Sequence, residues 1–270
     1  MSRTYLGVCG WPVAHSRSPA MQNAALRAAG LEGWEYLALP LPPELFAETV
    51  LALPAAGFRG VNVTIPHKEA ALALADEASE AARAIGAANT LTFEPGGGIA
   101  ADNTDAPGLL EALGERLDPA GRSALVLGAG GAARAAVWAL AGAGARVEVW
   151  NRTPERAAAL ARELGARAVA EPGTAEIVVN ATSVGLQPNI DPFKALPLKA
   201  DTFEAGSCVI DMVYGSGETR FLEAARSRGA RVIDGLEILV AQGAASFERW
   251  TGTTAPRRAM REAVTKSPSP

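Results

Sequence analysis

Apolar and polar positions along the first hundred residues follow two repeating patterns. Stretches of period two predict strands, and stretches with apolar residues three or four apart predict helices. The predicted strands cover residues 6–10, 34–39, 60–65 and 88–93. The predicted helices cover residues 19–29, 43–53 and 69–86, the first with Ser18 as its N-cap. This alternation predicts an α/β fold in which a mostly parallel sheet carries helices on both faces.

A second block of the same kind begins at residue 123. Its first strand, 124–127, is wholly apolar, as expected of a strand that is covered on both faces. Further strands are predicted over 146–150, 177–180, 209–212 and 231–233, and helices over 131–140, 154–164, 218–228 and 236–250. Between the blocks, a turn is predicted over 94–98 and a helix over 105–117, which Asp105 would cap. Residues 184–202 predict a functional or mobile loop, and residues 265–270 a disordered tail.

The composition narrows the class of protein. The 270 residues are 49% hydrophobic and 20% charged, which is typical of a folded globular protein. The net charge of -4 argues against a nucleic-acid partner, and the sequence shows neither a membrane-spanning stretch nor a signal peptide, so a cytoplasmic protein without a membrane partner is expected. Cys9 and Cys208 lie in apolar strands and are interpreted as buried hydrophobes. His15 and His67 lack the spacing of a metal site, so no metal is expected.

A glycine-rich turn follows the wholly apolar strand and leads into a helix. With an alanine at its third position, it fits the G-x-G-x-x-G/A pattern of dinucleotide-binding proteins. The first glycine permits the tight turn, and the second lets backbone amides approach a pyrophosphate at the helix N-terminus. An ordinary strand-to-helix turn is the alternative, but the strand–turn–helix context favours a dinucleotide site. Its residues are Gly128, Ala129, Gly130, Gly131 and Ala132.

The residues after the next strand bear on the choice of cofactor. NAD-binding proteins carry Asp or Glu at this place, where the carboxylate binds the ribose 2′-hydroxyl. Here the residues are Asn151, Arg152 and Thr153, and a guanidinium can form a forked contact with a 2′-phosphate. NADP is therefore the predicted cofactor. A solvated cation is the alternative role for Arg152, although a cation is unfavourable at a helix N-terminus.

Polar residues that could perform chemistry follow the strands of the first block. Lys68 lies just past a strand that Pro66 should end, because proline cannot donate to a sheet. An amine at such a place can transfer a proton, although a surface lysine is the simpler interpretation. For Asp105, helix capping is an equally good interpretation. Ser16 and Ser18 could bind hydroxyls or a carboxylate.

Taken in order along the chain, these residues resemble one family nearly end to end, the shikimate dehydrogenases. Several motifs in the family's order are far more specific than any one of them. Besides the glycine turn they are residues 16–19, 62–68, 89–90, 103–105, 151–153, 180–185, 211–214 and 235–242. One departure is Ser216, where many members have proline, and this leaves the detail of that loop open.

The resemblance implies a two-domain α/β enzyme with its active-site cleft between the domains. A substrate-binding domain would comprise residues 1–103 and 236–264, and a Rossmann-type NADP-binding domain residues 104–235. The implied reaction is the reversible reduction of 3-dehydroshikimate to shikimate in chorismate and aromatic amino-acid biosynthesis. Lys68 and Asp105 resemble the catalytic pair, in which the lysine exchanges a proton with the reacting oxygen and the aspartate orients and tunes it.

The resemblance also implies ligands for the substrate and the cofactor. Ser16 and Ser18 match ligands of the substrate carboxylate. The substrate hydroxyls and the reacting region would be contacted by Thr64, Asn89, Asp105, Tyr214 and Gln242. The cofactor would be contacted by the glycine turn, by residues 151–153 and by the backbone around Thr182. Met212 and Gly235 match positions that line the nicotinamide.

Two other functions stay open at this point. One is a quinate/shikimate dehydrogenase that also uses NAD, against which Arg152 and the two serines count. The other is a nucleotide-sensing regulator with a dead catalytic site, against which the retained Lys68 and Asp105 count. The oligomeric state, with a homodimer among the options, cannot be derived from the sequence.

Overall fold

The computed structural model describes residues 3–186, 190–215 and 217–265. Its residues pack into two compact units. One runs up to Gly108 and resumes at Leu239, and the other is Leu109–Ile238. The position of Ser216 and residues 266–270 of the predicted tail lie outside the described residues, whereas Thr265, the first residue of that tail, ends the last helix. No helix among those described is long and apolar enough to cross a membrane.

The first unit is built on a six-stranded mixed sheet with the order β2-β1-β3-β5-β6-β4. Neighbouring strands are parallel except that β5 runs antiparallel to both β3 and β6. The strands are β1 (Thr4–Gly10), β2 (Trp34–Pro40), β3 (Phe58–Val63), β4 (Glu77–Ala78), β5 (Thr90–Phe93) and β6 (Ile99–Asp102). The helices are α1 (Ser18–Ala28), α2 (Pro43–Ala52), α3 (Lys68–Ala73) and α4 (Glu80–Ile85), joined after the second unit by α11 (Arg257–Thr265).

The second unit is built on a six-stranded sheet in which every pairing is parallel. Its strands are β7 (Ser123–Leu127), β8 (Arg146–Trp150), β9 (Arg167–Ala168), β10 (Ile177–Asn180), β11 (Cys208–Asp211) and β12 (Arg231–Ile233). Its helices are α6 (Gly131–Gly142), α7 (Pro154–Leu164), α8 (Pro192–Ala195) and α9 (Arg220–Ser227). The order β12-β11-β10-β7-β8-β9 is that of a doubly wound dinucleotide-binding sheet, which reverses between β7 and β10.

Two helices carry the chain between the units. They are α5 (Asp105–Leu113), which continues into a 3-10 turn at Gly114–Arg116, and α10 (Gly235–Thr251). Within the first unit they approach closely at Gly108, where a Cβ atom would lie 2.9 Å from the backbone nitrogen of Gln242. The absence of a side chain at Gly108 therefore permits this helix contact.

Each unit has its own apolar core, and the two cysteines belong to these cores. Cys9 packs with Phe46, Val61 and Leu91 in the first unit, and Cys208 lies on buried β11 of the second. Both thiols are free, and burial raises the pKa of Cys9 to about 12 and that of Cys208 to about 11. A thiol that stays protonated at neutral pH is a poor nucleophile, so the interpretation of both cysteines as buried hydrophobes is confirmed.

The prediction of a single helix over residues 69–86 is wrong, because two short helices and a strand occupy this segment. Between α3 and α4, the backbone of Asp76 pairs with Ile99 and that of Ser79 with Ala101, which adds β4 to the edge of the sheet. Ser79 then caps α4 by accepting a hydrogen bond from the backbone N–H of Ala82 at 3.0 Å. Pairing with β6 thus outweighs the helix propensity of the alanine-rich sequence.

Other boundaries differ by a few residues for identifiable reasons. The strand predicted over 60–65 ends at Val63, and Ile65 is exposed just before a cis peptide bond to Pro66. The helix predicted over 105–117 ends at Leu113, where Gly114 adopts a positive φ. The hairpin turn predicted over 94–98 is confirmed. The short elements β4, β6, β9, α8 and the last helix α11 were not predicted.

Ser18 is not the N-cap of the first helix. The hydrogen bond from the N–H of Met21 to the carbonyl of Arg17 shows that helical bonding starts one residue earlier, at Arg17. Ser18 lies in the first turn, and its own N–H donates to the hydroxyl of Ser16 at 3.3 Å. The hydroxyl of Ser18 is therefore not used for capping.

Thr92 offers a test of the packing of the first unit. Its hydroxyl is buried on β5 without a hydrogen-bond partner among the described residues, and valine has nearly the same shape. We expect Thr92→Val to raise the free energy of unfolding by about 1 kcal/mol, because a buried, unpaired hydroxyl costs roughly 1–3 kcal/mol. Chemical denaturation measures the change. The control is Thr90→Val on the same strand, which should destabilise, since that hydroxyl contacts the hydroxyl of Ser246 at 2.9 Å.

Candidate active site

A buried ion pair joins the first residues of two helices in the first unit. Lys68 begins α3 just beyond β3, and Asp105 begins α5 just beyond β6. The Nζ atom of Lys68 donates to Oδ2 of Asp105 at 2.6 Å, and the two side chains are only 11% and 8% exposed. A charge-assisted hydrogen bond of this length fixes the direction of the ammonium group.

Asp105 does not cap its helix, contrary to the alternative interpretation. The side-chain oxygen of Asn103 accepts from the backbone N–H groups of Asp105 and Ala106, at 3.1 and 3.3 Å, and so serves this purpose. Both carboxylate oxygens of Asp105 are left for side chains. Oδ2 binds Lys68, and Oδ1 accepts from the Nδ2 atom of Asn89 at 2.9 Å.

Asn89 connects the ion pair to the late helix α10. Its Nδ2 atom also lies 3.3 Å from Oε1 of Gln242, and the Nε2 atom of Gln242 donates to the carbonyl of Leu239 at 2.9 Å. All of these side chains are buried or nearly so. The structure therefore brings together four of the predicted site residues, Lys68, Asn89, Asp105 and Gln242.

A layer of buried polar side chains behind this group was missed by the sequence reasoning. The hydroxyl of Ser246 on α10 accepts from Nδ2 of Asn62 at 2.9 Å and lies 3.2 Å from the hydroxyl of Thr104. The hydroxyl of Tyr36 donates to the side-chain oxygen of Asn62 at 2.8 Å. Thr104 in turn donates its N–H to Oδ1 of Asn89 at 2.7 Å. The signals in the sequence are weak: Asn62 lies between two valines of its strand, and Ser246 lies on a largely apolar helix.

His67, which precedes the lysine, anchors this turn to the protein interior. Its ring stacks on Phe46 with centroids 4.3 Å apart, and its Nε2 atom donates to the carbonyl of Leu41 at 2.7 Å. Burial lowers the pKa of His67 below its ordinary value, and the hydrogen bond to Leu41 opposes this in part. A neutral imidazole at neutral pH follows, which fits a structural role beside Lys68.

The two serines and Thr64 lie beyond the carboxyl ends of two adjacent parallel strands. Ser16 and Ser18 follow β1, and Thr64 follows β3. Thr64 packs tightly against Gly10, where a Cβ atom would lie 2.4 Å from its methyl group. The serines stand at the start of α1, where a helix N-terminus attracts negative charge.

In the second unit, the glycine turn has the backbone that its sequence requires. Gly128 has φ +115°, and a Cβ atom there would lie 2.9 Å from the carbonyl oxygen of Ala181. Gly130 precedes α6, and apart from its chain neighbours no described residue has an atom within 4 Å of where its Cβ atom would lie. The space beside the helix N-terminus is thus open. Because the turn follows β7 at the reversal of the sheet, Gly128, Ala129, Gly130, Gly131 and Ala132 fit a bound pyrophosphate.

The residues after β8 expose two arginines, with the acidic Glu155 between them. The side-chain amide of Asn151 donates to the carbonyl of Thr153 at 3.0 Å, which closes the turn into α7. Arg152 is exposed beside this turn. Arg156, one turn further along the chain, is a second exposed cation that the sequence reasoning did not single out. Such a surface fits an anionic group at the end of β8.

The other predicted cofactor residues follow β10 and β11. The hydroxyl of Thr182 donates to the side chain of Asn180 at 2.7 Å. Met212 directly follows β11, and half-buried Tyr214 lies two residues further. Gly235 packs against this segment so closely that a Cβ atom would lie 2.9 Å from the carbonyl oxygen of Met212. Thr182, Met212, Tyr214 and Gly235 therefore all belong to the second unit.

The parallel sheet, the glycine turn at its reversal and the open helix N-terminus define a Rossmann-type nucleotide-binding protein. Comparison with known families is more specific. Three family models match: the shikimate dehydrogenase substrate binding domain over residues 8–91, shikimate/quinate 5-dehydrogenase over 112–183, and the shikimate 5′-dehydrogenase C-terminal domain over 235–265. The chain belongs to the shikimate dehydrogenase family.

Individual relatives match almost the whole chain. The Moorella thermoacetica protein named shikimate dehydrogenase (NADP(+)) is 44% identical over 96% of this chain and 93% of its own. The Aquifex aeolicus shikimate dehydrogenase structure has a TM-score of 0.90 at 38% identity and covers 98% of both chains. The Thermus thermophilus enzyme, solved with NADP(H) and shikimate, has a TM-score of 0.86 at 46% identity, covering 96% of this chain and 98% of that one.

Proposed function

We propose that this protein catalyses the reversible, NADP-dependent reduction of 3-dehydroshikimate to shikimate, a step in the biosynthesis of chorismate and the aromatic amino acids. The chain is an oxidoreductase of the shikimate dehydrogenase family and depends on NADP. The observation that carries the proposal for this chain is the buried ion pair between Lys68 and Asp105. A regulator without catalysis would have no need to keep this costly pair of buried charges.

NADP would be held by the second unit. The amides of the glycine turn would bind the pyrophosphate, and Arg152 with Asn151 and Thr153 would bind the 2′-phosphate. Thr182, Met212 and Gly235 would contact the nicotinamide end. When bound, the nicotinamide supplies the hydride chemistry, and the protein supplies binding, orientation and electrostatics.

Lys68 would exchange the proton that accompanies hydride transfer. During reduction the C=O group of the substrate becomes an alcohol, so its oxygen needs one proton, which Nζ of Lys68 would donate. In the reverse direction the amine would take this proton back. Asp105 would hold Nζ in place and, through its second oxygen, align Asn89.

The substrate would be bound mainly by the first unit. Its carboxylate would lie at the hydroxyls of Ser16 and Ser18, where the N-terminus of α1 adds a favourable potential. Its hydroxyls would be recognised by side chains with matched donors and acceptors, Thr64, Asn89, Asp105 and Gln242 from this unit and Tyr214 from the second.

The test is a spectrophotometric assay of the purified protein. We expect absorbance at 340 nm, the band of reduced nicotinamide, to rise with shikimate and NADP and to rise far less with quinate and NAD. Comparable rates with the second pair would instead indicate a quinate/shikimate dehydrogenase of relaxed specificity. No rise with any pair, while nucleotide still binds by calorimetry, would indicate a regulator and refute the proposal.

Three further features of this enzyme are proposals from the sequence. We propose a substrate-binding domain of residues 1–103 and 236–264 and a cofactor domain of residues 104–235. The two crossings between these domains lie within five residues of those between the two compact units. A cytoplasmic location is proposed as well, and a homodimer is an option that light scattering after size-exclusion chromatography would test.

A further inference from the structure

Two neighbouring strands of the second unit end in polar residues to which the proposed mechanism gives no role. β10 ends at Asn180 and β11 at Asp211, and these residues are direct partners in the parallel register. Both are completely buried. They stand at the carboxyl edge of the sheet, next to the reversal between β7 and β10, where ligands of doubly wound sheets bind.

Asp211 holds the chain that follows β11. Its Oδ1 atom accepts from the side chain of Asn180 at 2.9 Å and from the N–H of Val213 at 3.1 Å. Its Oδ2 atom accepts from the hydroxyl of Thr219 at 2.6 Å. Thr219 also caps α9, so one carboxylate fixes both the start of this segment and the helix after it.

Asn180 does the same for the chain that follows β10. Its side-chain oxygen accepts from the N–H and the hydroxyl of Thr182, at 3.2 and 2.7 Å. Its Nδ2 atom donates to the carbonyl of Val184 at 3.0 Å as well as to Asp211. The bond between the two side chains therefore links one segment to the other.

The burial of the Asp211 carboxylate does not in itself stabilise the fold. Burial raises the pKa of Asp211 to about 6, the charge of Asp234 acts in the same direction, and the three hydrogen bonds oppose both only in part. A buried charge whose hydrogen-bond partners among the described residues are all neutral donors costs free energy. A function for the geometry that it imposes would explain its presence.

We propose that Asn180 and Asp211 are positioning residues that fix residues 181–185 and 212–215 for binding of the nicotinamide half of NADP. The inference rests on the proposed function, because it takes NADP as the ligand of this unit. These segments carry Thr182 and Met212, whereas the glycine turn and Arg152 would hold the other half of the cofactor. Substitution of Asn180 or Asp211 should therefore weaken binding of the nicotinamide half of NADP and leave binding of the other half unchanged.

The experiment compares NADP with a fragment that lacks the nicotinamide, adenosine 2′,5′-bisphosphate. Isothermal titration calorimetry gives the dissociation constant of each for the wild-type protein and its variants. We expect Asp211→Ala to weaken NADP about tenfold, as the loss of about 1.4 kcal/mol of hydrogen bonding would. Binding of the fragment should stay within twofold. The matched control, Arg152→Ala, should weaken both ligands.

A conservative variant tests whether Asp211 acts through its hydrogen-bond geometry or through its negative charge. Asp211→Asn can still accept from Asn180 and Val213, while its amide can donate to Thr219, so NADP binding should return to within about threefold of the wild type. If Asp211→Ala does not fold, Thr219→Val removes one contact of the carboxylate together with the side-chain cap of α9, and it should weaken NADP alone.

Three outcomes would contradict this inference. Equal losses for NADP and the fragment in Asp211→Ala would show a general structural role. Unchanged NADP binding in that variant would show that the segments need no such support. Wild-type protein that binds neither ligand would refute the proposed cofactor, and the inference with it, and is distinguishable from the first two.

Discussion

Lys68→Ala should lower kcat for shikimate oxidation by about 10²–10⁴-fold, the usual contribution of a positioned proton-transfer group. Shikimate binding should change only a few-fold, because Ser16, Ser18 and Asn89 remain. We expect the large loss of kcat because, within the described residues, no other amine is hydrogen-bonded to Asp105 that could replace Lys68. Steady-state kinetics gives kcat, and calorimetry gives the dissociation constant of shikimate.

Two controls make the result specific to the proton. Lys68→Arg keeps a cation beside Asp105 but cannot release its proton at accessible pH, so its kcat should stay low. Lys194→Ala removes an exposed lysine from the second unit and should leave kcat unchanged. Because Lys68→Ala leaves Asp105 buried without its partner, circular dichroism must confirm the folded state. Wild-type turnover in folded Lys68→Ala would refute the proposed role.

Arg152→Ala should change the preference between the two cofactors. We expect KM for NADP to rise by about 10–100-fold, because a hydrogen bond to a charged group contributes roughly 1.5–3 kcal/mol. KM for NAD should stay within about twofold, since NAD has no 2′-phosphate for the guanidinium to bind. Kinetics with each cofactor at saturating shikimate measures both values.

The control for this prediction lies on the helix that follows Arg152. Arg162→Ala removes an exposed arginine from the last turn of α7, away from the turn after β8, and should affect neither cofactor. A uniform loss for NADP and NAD in Arg152→Ala would mean that Arg152 supports the turn and does not contact the 2′-phosphate.

The sheet of the second unit could be predicted well because its strands are either apolar runs, as in β7 and β10, or alternate apolar with polar residues, as in β8. The strands predicted over 146–150, 177–180 and 231–233 have the bounds of β8, β10 and β12. The two-residue strands β4 and β9 could not be predicted. Such elements exist because a neighbouring strand offers free backbone groups, and their own residues carry no periodicity.

The candidate site could be predicted in its residues but not in its connections. Lys68, Asn89 and Asp105 stand out because they follow or begin strands. Nothing local connects Asn89 to Gln242, which lies 153 residues away in the sequence. The hydroxyl of Ser246 is likewise one small polar group on a largely apolar helix, and only the folded chain shows that it contacts Asn62 and Thr104.

The close approach of α5 and α10 at Gly108 has a consequence for how this enzyme tolerates change. Asp105 lies one helical turn before this glycine, and Gln242 is the residue whose backbone a side chain at position 108 would strike. The distance between a proposed catalytic carboxylate and a proposed substrate amide therefore depends on a residue that contributes no chemical group. A survey of functional positions that scores reactive side chains alone would overlook Gly108, although any larger residue there would displace both groups at once.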